Sequence, residues 1–232
     1  TESTAMIGNA PWMGKMRKGS FGAPSFMYDV TLVGDDGKEV TEPDEPGYIV
    51  VRLDRWRAIG LFTEYIGNPE KMAGVFVDNY YYTGDRGSID KDGYWWFVGR
   101  SDDVIKSSDY RVGPFEVESA LMEHEAVAEA AVVGVPDEKR HQLVKAFVIL
   151  KQGEEPSREL ALDMFRHTID ILAKFKIPRI IEFVTEVPKT LSGKIRRVEL
   201  REREVERQDT KAEAPVGEFY YWDFPELSSR KN

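Results

Sequence analysis

Cysteine is absent from the 232 residues, which excludes disulfide bonds and thiolate metal sites. Only three histidines occur, and their positions lack the spacing of a metal-binding motif, which argues against a zinc site. No apolar run approaches the roughly 20 residues that a membrane-spanning helix requires. No signal-peptide pattern opens the chain either. We therefore expect no membrane span, and we predict a cytoplasmic location.

Positive charge is also in short supply. Lys and Arg number 32 against 41 Asp and Glu, which gives a formal net charge of −9. A phosphate backbone demands a basic surface, so the net charge argues against general nucleic-acid binding, and we expect no nucleic-acid partner. Local basic clusters remain compatible with an acidic protein. The chain begins at Thr1 rather than Met, and we interpret it as part of a longer protein.

Residues 25–100 alternate apolar and polar positions between Gly- and Asp-rich turns, which predicts a small subdomain of β-hairpins. Its strands are predicted at 26–33, 48–53, 80–83, 88–90 and 94–98. The third strand is expected to end at Gly84-Asp85. Asn68 is expected to cap a short helix that begins at Pro69.

From residue 104 the pattern becomes strand, helix, strand, strand, helix, strand, which predicts a compact α+β domain up to residue 185. Helices are predicted from Pro114 and behind the N-cap Ser157, with Glu116 and Glu118 complementing the dipole of the first. Strands are predicted at 130–135, 145–150 and 180–184, a loop at 107–114 and a solvated helix at 198–207. The aromatic cluster at 219–224 is expected to pack on the body or on a partner, because leaving it in water is costly.

Three short motifs lie around the junction of these halves, and two of them suit a nucleotide ligand. The carboxylate of Asp85 can accept hydrogen bonds from two vicinal hydroxyls, as in ribose recognition, or it is a turn aspartate bonded to its own backbone. Arg100 suits a ribose or a phosphate, or forms a surface ion pair. Residues 101–103 join the halves as a hinge or as a rigid acidic linker.

Two further motifs carry cations. Arg111 lies in the segment that leads into the helix at Pro114, where free N–H groups favour an anion, although ordinary capping explains the same pattern. Lys194 follows a Ser-Gly turn and can reach a phosphate or carboxylate as a mobile point charge, or it is simply an exposed lysine.

The order and spacing of these motifs resemble the adenylate-forming superfamily: AMP-forming acyl-CoA synthetases, nonribosomal peptide adenylation domains and luciferases. The matching segments are Thr1-Glu2, 82–85, 99–106 and 188–194, and the run 113–121 resembles the medium-chain acyl-CoA synthetases in particular. The resemblance implies that residues 1–101 close a large AMP-binding domain and that 102–208 form a mobile small α+β domain. It does not cover residues 209–232, which we expect to form an aromatic tail.

The resemblance implies an acid–thiol ligase that joins a medium-chain fatty acid, or a similar acid, to ATP as acyl-AMP and then transfers the acyl group to CoA. On the nucleotide side it assigns Thr1 to the α-phosphate, Glu2 to Mg²⁺, Asp85 and Arg100 to the ribose, Asp102 to the hinge and Lys194 to adenylation. On the thiol side it assigns Ser108, Asp109, Tyr110 and Arg111 to the CoA path and Arg140 to a CoA phosphate.

Two departures qualify that implication. Asp109 stands where the family usually has Gly, so we hypothesise that thioester formation is slowed relative to adenylation. The phosphate loop and the acyl pocket of the family precede the Thr-Glu motif, so we expect this chain alone to be inactive and to need the N-terminal domain of the same protein. A homo-oligomer is possible. The alternatives are a non-catalytic interaction module derived from the small domain and another adenylate-forming ligase.

Overall fold

The structure is a computed structural model that describes residues 2–9, 16–56 and 58–227. It divides into two compact units, Thr1–Asp102 and Asp103–Asn232, each with its own sheet and its own core. Helices and strands occur in both units, which confirms the predicted α+β class. Among the described residues, no helix is long and apolar enough to cross a membrane.

Hairpins build the first unit. Its elements are β1 (Ile7–Gly8), β2 (Ala23–Pro24), β3 (Val30–Val33), β4 (Gly47–Arg52), α1 (Pro69–Val75), β5 (Phe76–Val77), β6 (Tyr80–Ile89) and β7 (Trp95–Arg100). Strand β6 pairs antiparallel with β4, β5 and β7, and β3 extends the sheet beyond β4. Leu32, Ile49 and Trp95 form one part of the core, and Val51 and Tyr81 belong to another.

Local signals located the helix of this unit correctly but misjudged two strands. Asn68 caps α1 by accepting a hydrogen bond from the Lys71 amide at 3.0 Å, as predicted. The first long strand begins only at Val30, because a turn closed by the Tyr28 amide precedes it. The prediction that Gly84-Asp85 ends the third strand is wrong, since β6 continues to Ile89.

The second unit has one mixed sheet with helices on both faces. Its elements are β8 (Ile105–Ser107), β9 (Tyr110–Val112), α2 (Pro114–Met122), β10 (Val127–Asp137), β11 (His141–Leu150), α3 (Arg158–Ile171), β12 (Ile180–Phe183), α4 (Arg197–Asp209) and β13 (Glu218–Tyr220). Two short 3₁₀ helices, Tyr221–Asp223 and Pro225–Leu227, follow β13. The path through the sheet is β13-β12-β11-β8-β9, and β10 pairs with β11 as an edge strand.

Alternate residues of β10 enter two separate cores. Val132 belongs to the core beneath α2 and α3, whereas Val133 belongs to the core that contains Leu200 of α4. Because side chains along a strand point to opposite faces, a strand covered on both sides needs an almost continuous apolar run. This need explains the segment AAVVGV at 130–135.

Three predictions for this unit are corrected by tertiary contacts. The predicted loop at 107–114 contains the β8–β9 hairpin. The predicted solvated helix is α4, which buries Arg197, Leu200 and Glu204. Glu118, predicted to complement the dipole of α2, lies beyond the first turn of this helix, and its side chain is buried against Arg197.

The aromatic tail packs on the body of the second unit. Strand β13 pairs antiparallel with β12, and Phe224 is buried in the core beneath α3. The ammonium of Lys145 on β11 is fully buried among three carboxylates, which come from β12, α4 and β13. These carboxylates are Glu182 at 2.6 Å, Glu204 at 2.8 Å and Glu218. Their oxygens are spaced as metal ligands would be, but the Lys145 ammonium occupies the position that a metal ion would take. Because Glu218 belongs to the tail, its ion pair with Lys145 ties the tail to the sheet.

Candidate nucleotide and CoA sites

Asp85 and Arg100 lie directly opposite each other on β6 and β7. The Arg100 guanidinium donates to Asp85 Oδ1 at 3.2 Å and to the Thr83 carbonyl at 3.3 Å. Gly84 has a φ of +79°, and a Cβ at this position would come within 2.8 Å of Arg100 Nη2. Glycine therefore allows the guanidinium to lie across the strand beside the carboxylate. Asp85 and Arg100, which are fifteen positions apart in sequence, are therefore in direct contact.

The environment of Asp85 is unfavourable to its charge. Burial raises the pKa of this carboxyl above its ordinary value, and the attraction of Arg100 offsets only part of that effect. Repulsion from the carboxylates of Asp102 and Glu2 raises the pKa of Asp85 further. A half-buried carboxylate of this kind gains from hydroxyl donors, and a raised pKa beside a specific charged partner is typical of a functional site.

Glu2 has the opposite environment. Tyr65 donates its hydroxyl to Glu2 Oε1 at 2.8 Å, and this hydrogen bond lowers the pKa of the carboxyl. An ionised carboxylate oxygen is the ligand type that Mg²⁺ prefers. Thr1, predicted beside it, lies outside the described residues. Asp102, the predicted hinge residue, is exposed and lies 3.6 Å from the Arg100 guanidinium.

In the second unit, the β8–β9 hairpin lies beside the turn that joins β10 and β11. The Ser108 amide donates to the Arg140 carbonyl at 2.8 Å, and the Lys106 amide donates to Gln142 Oε1 at 2.7 Å. Between them lies an open cleft of about 620 Å³. Its lining residues are Lys106, Ser108, Asp109, Arg111, His141 and Gln142.

Four of the five residues predicted along the CoA path therefore lie at or beside this cleft. Ser108, Asp109 and Arg111 line it, and the backbone of Arg140 contacts Ser108. Tyr110 does not line the cleft, because its ring stacks on Phe175 with a centroid distance of 4.3 Å and an interplanar angle of 12°. This stacking packs the hairpin against the body of the unit.

Sequence reasoning missed Arg179, which adds to the positive charge near Arg140. Burial lowers the pKa of Arg179, and repulsion from Arg140 lowers it further. Its guanidinium also lies 4.6 Å from the ring centroid of Tyr221, a residue of the tail. Guanidinium groups that repel each other at a surface favour an anionic ligand. A single arginine after a proline carries no local signal that would have identified it.

Lys194 lies on a third element, the hairpin formed by residues 188–196. The Thr190 amide donates to the Lys194 carbonyl at 2.8 Å, and the Arg196 amide donates to the Pro188 carbonyl at 2.8 Å. Gly193 makes the turn with a φ of +81°. The Lys194 side chain is exposed and is not part of the cleft lining, so within the second unit the predicted adenylation lysine and the CoA path are separate.

Comparisons with known proteins place the chain among relatives of known class. Residues 116–194 match the AMP-binding enzyme C-terminal domain. The chain is 56% identical over 221 residues to 4-hydroxybutyrate–CoA ligase 1 of Metallosphaera sedula, and the alignment covers 95% of this chain and 38% of that protein. It is 47% identical over 206 residues to the mitochondrial acyl-coenzyme A synthetase ACSM3 of Rattus norvegicus, with 88% and 35% covered.

Solved structures give the same result. The crystal structure of the anthranilate CoA ligase AuaEII with anthranoyl-AMP is similar, with a TM-score of 0.76 and 42% identity over 86% of this chain and 37% of that one. The O-succinylbenzoate coenzyme A synthetase of Bacillus subtilis with AMP has a TM-score of 0.73 and 29% identity, with 87% and 39% covered. The chain contains the AMP-binding enzyme C-terminal domain and corresponds to the C-terminal portion of acyl-CoA synthetases. It spans a little over one third of the length of the relatives it matches.

Proposed function

We propose that the protein to which this chain belongs is an AMP-forming acyl-CoA synthetase. It would join a carboxylic acid to ATP, releasing pyrophosphate and forming acyl-AMP, and CoA would then displace AMP to give the thioester. The observation that carries this proposal is the Asp85–Arg100 pair. A partly desolvated carboxylate beside a guanidinium supports ribose binding at this position.

The residues have distinct roles in the first half-reaction. Asp85 accepts hydrogen bonds from the ribose hydroxyls, and Arg100 donates to the same sugar as the second contact. Lys194 supplies positive charge where negative charge develops as the carboxylate attacks the α-phosphorus. Its exposed position on a hairpin tip suits a group that must reach a substrate held elsewhere.

The carboxylate of Glu2 supports Mg²⁺ binding. Glu2 is held ionised by Tyr65, so one of its oxygens is available as a hard ligand. When bound, the ion would neutralise charge on the phosphates. Thr1 remains the predicted contact of the α-phosphate.

The cleft of the second unit supports the second half-reaction. Lys106 and Arg111 give it cationic walls, and Arg140 and Arg179 extend the positive charge around it. An anionic nucleotide such as that of CoA is complementary to this surface. Rotation about Asp102 would let residues 102–208 present first Lys194 and then this cleft, while residues 1–101 remain with the large domain.

The substrate class is a carboxylic acid, and we propose a short- or medium-chain aliphatic acid. The M. sedula relative is named for 4-hydroxybutyrate. ACSM3 is similar over a comparable share of the chain, and its name places it in mitochondria. The cytoplasmic location and the possible homo-oligomer therefore stay predictions for this protein.

The proposal is tested by pyrophosphate exchange into ATP with the full-length protein and a panel of acids: butyrate, 4-hydroxybutyrate, hexanoate, octanoate and benzoate. Exchange should depend on one or more aliphatic acids, and CoA should convert the product to a thioester. Lys194→Ala should lower exchange about 100- to 1,000-fold, the range for loss of one charge-stabilising donor. The exposed Lys151→Ala is the matched control and should retain exchange. A full-length protein without exchange on any acid would favour the interaction-module alternative.

A further inference from the structure

Four charged side chains meet beside the start of the second unit. Arg201 of α4 contacts Asp103 at 2.5 Å, and Arg197 lies 3.6 Å from the same carboxylate. Arg197 also binds Glu118 of α2 through two nitrogens, at 2.7 and 3.1 Å. Asp103, Glu118 and Arg197 each expose 11% or less of their side chains. Since charges so deeply buried are expensive unless paired, the arrangement is held in one geometry.

The cluster begins where the second unit begins. Asp103 is the first residue of this unit and directly follows Asp102, the proposed hinge residue. Its carboxylate is the point at which two arginines of α4 meet. The backbone at the start of the unit is thus tied to a helix that lies almost one hundred residues later in sequence.

The cluster ends beside the hairpin that carries Lys194. Arg197 is the first residue of α4 and follows Lys194 by three positions. The hairpin closes at its base with the hydrogen bond from the Arg196 amide to the Pro188 carbonyl, so its exit strand leads directly into α4.

The start of α4 has no side-chain cap, although helices normally satisfy their first amides in this way. The ion pairs of Arg197 and its contact with the Phe115 ring, 4.4 Å from the ring centroid, hold this end of the helix.

We propose that Asp103, Glu118, Arg197 and Arg201 are positioning residues that fix the Lys194 hairpin relative to the first residue of the second unit. A rotation at residues 102–103 then carries the hairpin as a rigid part of the unit. This inference rests on the proposed function, because the orientation of the hairpin matters for catalysis only where Lys194 takes part in adenylation. Among the described residues, no hydrogen bond or ion pair joins the Lys194 side chain to the four residues, so their effect is transmitted through the backbone of 195–197.

The experiment uses the full-length protein and measures each half-reaction separately, as pyrophosphate exchange and as thioester formation from preformed acyl-AMP and CoA. Asp103→Asn removes the charge of the carboxylate at the hinge side, and Arg201→Gln removes the guanidinium that contacts it. Both leave the Arg197–Glu118 pair. Each should lower kcat for adenylation about tenfold, with KM for ATP and the thioester rate within about twofold of wild type. The matched control is Arg203→Gln, on the same helix, whose partner Glu182 keeps its contact with Lys145.

Hydrogen exchange provides a second readout that does not require activity. The amides of Thr190, Gly193 and Arg196 are hydrogen-bonded within the hairpin. Their exchange should accelerate at least threefold in Asp103→Asn and Arg201→Gln, whereas exchange in β12 should be unchanged. Arg197→Lys keeps the positive charge but loses the two-nitrogen contact with Glu118. If this variant folds, its hairpin amides should also exchange faster, with exchange in β12 unchanged.

The outcomes separate the inference from the proposed function. An active wild-type protein whose Asp103→Asn and Arg201→Gln variants keep full adenylation and normal hairpin exchange would overturn the inference. Equal losses in both half-reactions, together with a lower folded fraction, would show that the cluster only stabilises the unit. If the wild-type protein has neither activity, the proposed function fails, and hairpin exchange alone decides whether the cluster holds the hairpin.

Discussion

Glu118 and Arg197 join the two helical faces of the second unit across the open edge of β10. Arg197 Nη2 lies 2.7 Å from Glu118 Oε2, and Glu118 Oε1 also accepts the Val132 amide of β10 at 2.8 Å. Among the strands that the structure describes, β10 pairs with β11 alone, so this amide points out of the sheet. The carboxylate therefore satisfies an edge-strand donor and neutralises a guanidinium at the same time.

Removal of Arg197 should destabilise the second unit strongly. Burial raises the pKa of Glu118 even with Arg197 present, so Arg197→Met would leave a carboxylate that is costly to keep ionised. We expect a loss of about 3–5 kcal/mol in the free energy of unfolding, as for other buried ion pairs that lose one partner. Urea denaturation monitored by tryptophan fluorescence measures this change.

A double mutant tests the cause. Arg197→Met combined with Glu118→Gln removes the unpaired charge and should recover a substantial part of the lost stability. Arg203→Met on the same helix is the control, because Arg203 is 46% exposed and should cost about 1 kcal/mol or less. Additive effects of the two single substitutions would contradict the pairing argument.

The sequence predicts those parts of the fold whose causes are local. Asn68 and Ser157 cap their helices as expected, because a side-chain oxygen needs only an amide three residues away. Glu118 and Lys145 were not predicted to be buried, since their partners come from distant segments. The pattern of α4 is likewise dominated by charge, and only its tertiary partners show that Arg197 and Glu204 are inside.

Some residues of the candidate site could likewise be predicted from the sequence, whereas others are evident only in the folded structure. Motif order identified Asp85 and Arg100, and the hairpin between β6 and β7 places them in contact. The β8–β9 hairpin was missed because its turn uses Ser108 with a φ of +55°, a conformation that Gly normally signals. Arg179 was missed because only folding brings it near Arg140.

Asp85→Asn should separate stability from function. The raised pKa means that the folded state disfavours the ionised carboxyl, so stability falls as pH rises from the unfolded pKa through the folded one. At pH 7 the substitution should leave Tm unchanged or raise it by a few degrees, about the size expected for a change near 1 kcal/mol. Pyrophosphate exchange should meanwhile show a KM for ATP at least tenfold higher.

The control for this substitution lies on the same strand. Ser88→Ala changes a residue of β6 that is remote from Arg100 in the register and should alter neither Tm nor KM appreciably. A Tm for Asp85→Asn several degrees below wild type at pH 7, scanned by differential scanning calorimetry, would show that the Arg100 contact outweighs the burial cost.

The stability that Glu218 contributes to the attachment of the tail should depend on pH. Burial opposes its ionisation, but hydrogen bonds from Lys145 and Tyr220 outweigh burial and lower its pKa. Its contribution is therefore fully present above the unfolded pKa of about 4.3 and is lost as pH falls through the folded pKa. Glu218→Gln should cost about 1.5–3 kcal/mol at pH 7, the range for hydrogen bonds to charged groups.

Thermal unfolding of both proteins between pH 7 and pH 3 gives the measurement. The difference in Tm should shrink as the pH falls below the unfolded pKa, because wild type loses what the variant already lacks. Glu226→Gln, an exposed partner of Arg158 in the same tail, should have little effect at any pH. A difference that is constant with pH would mean that shape, and not charge, accounts for the role of Glu218.

Asp109 offers the sharpest test of the CoA half-reaction. It is exposed at the turn of the β8–β9 hairpin and lines the cationic cleft, where its charge opposes an anionic ligand and a forming thiolate. Ser108, not Asp109, carries the positive φ, so backbone strain gives no reason for glycine at position 109. Both Asp109→Asn and Asp109→Gly should therefore raise the rate of thioester formation from acyl-AMP. The expected gain is about fivefold, since one unit charge close to another in water is worth about 1 kcal/mol. Pyrophosphate exchange should stay at the wild-type rate. An increase with Gly alone would assign the effect to backbone approach, and equal rates in all three proteins would remove Asp109 from the CoA path.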